Sequence, residues 1–224
     1  MEQEKEYEDY ENKRNKIVAQ FNRLVDWLDN HYHMRLNSFI DDIRYDRYRE
    51  NAQFLRNIRN LVEHNSSEYF VIKEATIKRI EDFVDLVTSS CDSKMIPTKN
   101  LFVAKPGDPV LPCLKELQEH NYSYLPILDE NNVCVEVFSA YILMSFACLE
   151  KSIDADTTFE DIYTALHNKG LKGTYKFMSV KSPFIDVINT FKVTSEFHLD
   201  VVLVTEDGSA DAPLLGMITI WDLQ

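Results

Sequence analysis

Apolar positions recur at intervals of three and four through the first ninety residues, and then the rhythm changes. Ile17, Phe21, Leu24 and Leu28, with Val18 and Val25 beside them, form one stripe that predicts a helix to about residue 30. Leu36, Phe39, Ile40 and Ile43 predict a second, shorter helix. Phe54, Leu55, Ile58, Leu61 and Val62 predict a third, and Ile77, Ile80, Phe83, Val84 and Val87 a fourth. The polar stretch "HNSSE" from His64 separates the last two, with Asn65 as a helix terminator. Four helices on short connections predict an antiparallel bundle over residues 1–90.

Past "SSCDS" (89–93), prolines 97, 106, 109, 112 and 126 punctuate short β-rich runs. "YLPILDENNVCVEVFS" predicts a strand, a polar turn and a second strand. "DVVLVTEDGSADAPLLGMITIWD" repeats that plan about 76 residues later, with a longer loop. Helix candidates at 110–120 and 184–195 precede the two hairpins, and short strands around 102–104 and 178–180 precede those helices. Each unit therefore runs strand, helix, strand, strand, helix start, which is an internal duplication.

Composition narrows the class. Apolar residues at 45% and charged residues at 27% suit a soluble globular protein. Five glycines and no GxxxxGK run exclude a phosphate loop of that type. The acidic opening "MEQEKEYEDYENKR" is neither a secretory signal nor a basic transit peptide. The near-apolar run "YILMSFACL" is about half the length a bilayer span needs, so no membrane association is expected. Cys91, Cys113, Cys134 and Cys148 lack CxxC or zinc spacing, which predicts buried reduced thiols, no metal site and a cytoplasmic location. A formal charge of -13 argues against a protein that coats nucleic acid. Residues 44–64 reverse the sign locally, with Arg44, Arg47, Arg49, Arg56 and Arg59 facing Asp46, Glu50 and Glu63.

The duplicated unit resembles the CBS domain, whose copies pair as one pseudo-symmetric disc. The resemblance rests on "NYSYLPILDENN", on "VVLVTEDG…LLGMITIWDL", and on "GMITIWD" as the family's glycine–hydrophobic–x–Thr–x–x–Asp element. It implies a regulatory site for an adenine nucleotide (AMP, ADP, ATP or a relative). There the Asp222 carboxylate takes the ribose diol, Thr219 assists, Gly216 permits close backbone approach and Pro126 lies on the cleft floor. The same Thr219 and Asp222 also fit a helix cap. In the first unit Glu136 replaces the glycine and Ile142 the aspartate, leaving Ser139 without its carboxylate partner. One intact nucleotide site is therefore expected, the one built on Thr219 and Asp222.

"FLRNIRNLVEHNSSEYF" raises a separate chemistry. Arg59-Asn60-x-x-x-His64 places an arginine and a histidine about 140° apart on a regular helix, so they do not converge within one chain. An Arg59–Glu63 pair at i,i+4 and a histidine in the last turn explain the same residues structurally. "LRNIRNLVEHNSSEYFVIKEATIKRIEDFV" also resembles the C-terminal half of HEPN domains, helical bundles that often carry RNxxxH. That resemblance implies a homodimer whose two motifs meet at the interface. Its members are either metal-independent endoribonucleases or inactive binding and dimerisation modules. In the first case His64 moves a proton, Arg59 stabilises phosphate charge, Asn60 orients, and Arg56 adds a phosphate contact on an RNA substrate. In the second the partner is another protein.

The expected fold is mixed α+β. A four-helix bundle at 1–90 precedes a first βαββα unit at 94–150, a linking helix at 151–172 and a second unit at 173–224, whose last helix is incomplete. The expected function is nucleotide sensing that controls a dimeric helical effector. The alternative is a non-catalytic module signalling to a partner.

Overall fold

The computed structural model describes residues 2–64, 71–171, 173–192 and 199–223. It divides into two bodies, residues 1–89 with 183–185, and residues 90–182 with 186–224.

The first body is helical. It comprises α1 (Glu2–Tyr32), α2 (Leu36–Asp41), a 3-10 segment (Ile43–Tyr48), α3 (Arg49–His64) and α4 (Glu74–Thr88). The predicted stripes form its core, where Leu24, Leu28, Phe39, Leu55, Val84 and Val87 are fully buried. Two stripe members depart from expectation: Ile43 is 84% exposed and Leu61 42%. The chain extends at Asp42, which breaks the helical period, and Tyr45 and Tyr48 take the buried positions instead. On α3, Leu55 and Val62 are seven residues apart and about 20° apart in projection, whereas Leu61 falls about 120° from Leu55. Asn65 and the rest of the polar break up to residue 70 lie outside the described residues.

The second body contains β1 (Ile96–Pro97), α5 (Val110–His120), β2 (Tyr124–Leu128), β3 (Cys134–Ser139) and α6 (Ala140–Ala147). It continues with α7 (Phe159–His167), β4 (Tyr175–Ser179), α8 (Phe184–Lys192, of which the part from Asp186 on belongs to this body), β5 (Val201–Thr205) and β6 (Gly216–Thr219). The duplication is visible in the pairing. β2 and β3 form an antiparallel hairpin, with Ala104 in a single parallel bridge to Ile127. β5 and β6 form the second hairpin, with β4 parallel to β5. The short strand expected at 102–104 is thus reduced to one bridge, and the one expected at 178–180 begins earlier, at Tyr175. Residues 193–195 of the helix candidate at 184–195 lie outside the described residues.

Strand β1 pairs antiparallel with β6, giving the sheet order β1-β6-β5-β4. Leu128, Cys134 and Val137 from the first hairpin share one apolar cluster with Val201, Leu203 and Met217 from the second. Burial of these alternating faces joins the two units into one body. Among the described residues no helix is long and apolar enough to cross a membrane.

Candidate functional site

Thr219 ends β6 and is 7% exposed. Its backbone N–H and its hydroxyl both donate to Asp222 Oδ2, at 2.7 Å each. The same arrangement opens α7, where the Thr158 N–H and hydroxyl donate to Asp161 Oδ2 at 3.0 and 2.7 Å. At α7 the Asp161 N–H also donates back to the Thr158 hydroxyl at 3.3 Å, completing a capping box, whereas at Thr219 the Asp222 carboxylate closes the turn after β6 through its two accepted bonds. A Cβ on Gly216 would stand 2.7 Å from the Ile96 carbonyl oxygen, so the close backbone approach that requires glycine here is β1 pairing with β6. Pro126 is buried in β2, opposite Val137, and its carbonyl accepts the Ala104 N–H at 3.1 Å. Thr219 borders a cavity of about 180 Å3 with Asn100, Phe102 and Trp221. Small-molecule sites usually exceed about 300 Å3.

A larger cleft, about 650 Å3, lies along the same turn at residues 121–124. Helix α5 ends in Asn121, whose left-handed φ of 56° stops the helix and directs Tyr122, Ser123 and Tyr124 along the cleft. Ser139 and Tyr141 form another wall at the start of α6. The Ser139 hydroxyl accepts the Ile142 N–H at 3.5 Å and so caps that helix. Ile142 itself is fully buried, and the position expected to carry the nucleotide's aspartate is a core position.

A carboxylate nevertheless reaches this cleft from the second unit. Asp200 lies immediately before β5 and lines the cavity. Its carboxylate accepts the Thr174 hydroxyl, and its backbone N–H donates to the Thr174 carbonyl at 2.9 Å. The Tyr124 hydroxyl also donates to it, and burial, with Asp200 added, pushes the Tyr124 phenol above its ordinary pKa. Tyr122 and Tyr141 present half-exposed rings. Sequence reasoning missed Asp200 because it looked for an acid only within the threonine–aspartate element. The available signal was an acid directly before the buried run "VVLVT".

Glu136 replaces Gly216 at the corresponding place on β3 and is 3% exposed. Its carboxylate contacts His167 Nε2 at 2.9 Å, and accepts the Val137 N–H at 3.2 Å and the Tyr175 hydroxyl. A Cβ on Gly173 would meet Glu136 Oε1 at 2.9 Å. Burial, followed by the Glu136 charge, raises the Tyr175 phenol well above its usual range.

In the helical body, Arg59 forms the expected ion pair with Glu63, Nη1 to Oε2 at 2.6 Å. Its guanidinium lies 5.0 Å from the Phe21 ring centroid and donates to Asn60 Oδ1 at 3.2 Å. His64 is exposed in the last turn of α3. Arg56 donates to Asn37 Oδ1 at 3.0 Å. Arg56 and Asn60 border a cavity of about 440 Å3 that also contains Asp26 and Asp29. The basic stretch is largely paired internally: Arg44 with Asp42, and Arg49 with Asp46. All four cysteines are free. Cys91 and Cys134 are buried as expected, and burial pushes both thiols up to about 12, whereas Cys113 is half-buried and Cys148 exposed.

In comparison with known proteins, residues 93–147 match the CBS domain family. No curated protein matches the chain in sequence. Similar solved structures include CBSX2 in complex with AMP, 23% identical, covering 60% of this chain and 92% of that one at a TM-score of 0.46. CbpB in complex with c-di-AMP is 12% identical, covering 64% and 87% at 0.49. The CBS domain pair of protein MJ0100 with 5'-methylthioadenosine and S-adenosyl-L-methionine is 17% identical, covering 60% and 92% at 0.44.

Proposed function

We propose that the second body senses an adenine nucleotide or a related adenosine ligand, and that the helical body is the effector it controls. The observation that carries this reading is the 650 Å3 cleft bordered by Ser139 and Tyr141 of the CBS domain. Its volume falls within the range of small-molecule sites, and its walls combine aromatic faces with a few fixed polar groups. In this reading the ligand occupies the Ser139–Asp200 cleft. The Thr219–Asp222 pair, with Gly216 and Pro126, supports the fold beside it.

The effector is a non-catalytic binding and dimerisation module that passes the ligand signal to a partner. The pairing of Arg59 with Glu63 and Phe21 supports this, since Nη1 of the guanidinium and its face are already engaged. A HEPN-like endoribonuclease is the second reading, and the exposed imidazole of His64 favours it.

Thermal denaturation in the presence of adenosine, AMP and ATP tests the sensor reading. A binding ligand raises the melting temperature by mass action. Tyr141→Ala, at a half-exposed ring, should remove the shift, whereas Asp222→Ala should lower the baseline melting temperature and keep the shift. Absence of any shift at millimolar concentrations of all three compounds would overturn the reading.

A further inference from the structure

The helical body holds a cavity of about 440 Å3 to which neither reading of that body gives a ligand. We propose that it binds a zwitterion, an α-amino acid with an apolar side chain. The volume falls within the range of small-molecule sites. Its carboxylates, Asp26 and Asp29, both come from the last two turns of α1. Three residues apart, they are neighbours on the helix surface. Its cationic groups come from other elements, Arg35 from the position before α2 and Arg56 from α3. Val25 and Met34 add apolar wall, and both pack against the buried core of the bundle, which fixes their place.

The charges are available to a ligand. Among the described residues no ion pair engages Asp26, Asp29 or Arg35. Arg56 spends one Nη on Asn37 Oδ1 and keeps its other N–H groups. Asp29 lies in the last turn of α1, where the helix dipole disfavours an anion, so an ammonium group there answers carboxylate and dipole together. The imidazole of His31, in the same turn, bonds the Trp27 carbonyl rather than either carboxylate. A simple anion entering the cavity would meet two carboxylates, and a simple cation two guanidinium groups. A zwitterion satisfies both signs at once, and an apolar substituent finds Val25 and Met34.

Isothermal titration of the full chain with L-leucine, L-methionine and L-phenylalanine tests the proposal. Each is run beside its N-acetyl derivative, which lacks the cation, and its amide, which lacks the anion. At least one free amino acid should bind, and both of its derivatives should be weaker by about tenfold or more. The double change Asp26→Asn and Asp29→Asn, at exposed positions, should bring the free amino acid down to the level of its N-acetyl derivative. Arg35→Gln with Arg56→Gln should bring it down to the level of its amide. A derivative that binds as tightly as the free amino acid would overturn the proposal, as would unchanged binding in either double variant. If circular dichroism shows a double variant unfolded, the ranking of derivatives on the wild type decides. Failure of all three amino acids to bind at millimolar concentration also overturns it. Each of these outcomes leaves the sensor reading standing, because the melting shift with adenosine compounds is measured apart from them.

Discussion

Arg59 has a carboxylate, an aromatic face and an amide around it, and a lysine reproduces the charge pairing alone. If the group is structural, Arg59→Lys should change stability by less than about 1 kcal/mol, since an i,i+4 pair contributes only about 0.3–0.5 kcal/mol. If two chains assemble a ribonuclease site, Arg59→Lys and His64→Ala should stay folded and lose cleavage of single-stranded RNA. Paired melting curves and a cleavage assay separate these outcomes.

The cysteines make a second residue-scale prediction. Cys148 should react with iodoacetamide in the native state, whereas Cys91 and Cys134 should be protected until unfolding. Both buried thiols hold their protons more tightly in the folded state, with pKa values near 12 against about 9 when free. The unfolded chain therefore binds fewer protons above pH 9, and stability should be full below pH 9 and fall as pH rises toward 12. Equilibrium denaturation across that window checks the sign. At this scale the sequence showed Arg59–Glu63 well, because it is a local spacing. Asp200 meets its cleft through Thr174 and Tyr124, one of them 26 residues away, and no local spacing announces such a contact.

Elements were legible where their periods were strong. The long helical stripes and the two hairpins appear where the rhythm put them. The correspondence between the two units was less legible. β3 carries an irregularity between the partners of Ile127 and Leu128, which shifts register by one and leaves Val135 extra. In the structure Pro126 faces Val137, and the residue facing the equivalent Met217 is Leu203. A bulge is a property of paired strands and has no signature in one strand alone. The β1–β6 contact gives an element-scale prediction. Gly216→Ala should destabilise by about 1–3 kcal/mol, because its Cβ must displace the Ile96 carbonyl or the Met95 side chain. Urea denaturation with and without adenosine should show the same loss in both conditions, since the strain lies between strands.

At the scale of the whole molecule, control of one body by the other needs an output, and association between copies is the simplest. Sedimentation velocity at micromolar concentration should show a dimer. A monomer under all ligand conditions would remove the composite ribonuclease site. Dimerisation was read from family resemblance, because an interface between copies leaves no period in the chain. The duplication also poses a problem during folding. Two similar hairpins compete for the same leading strand, and repeat proteins misassemble through such choices. β1 meets Gly216 on β6, while the equivalent place on β3 is filled by the Glu136 carboxylate, fastened to His167 and Tyr175. A nascent chain that tried the first hairpin would press a backbone carbonyl against a buried anion. Glu136 in place of Gly216 thus disfavours the pairing of β1 with the first hairpin and favours its pairing with the second.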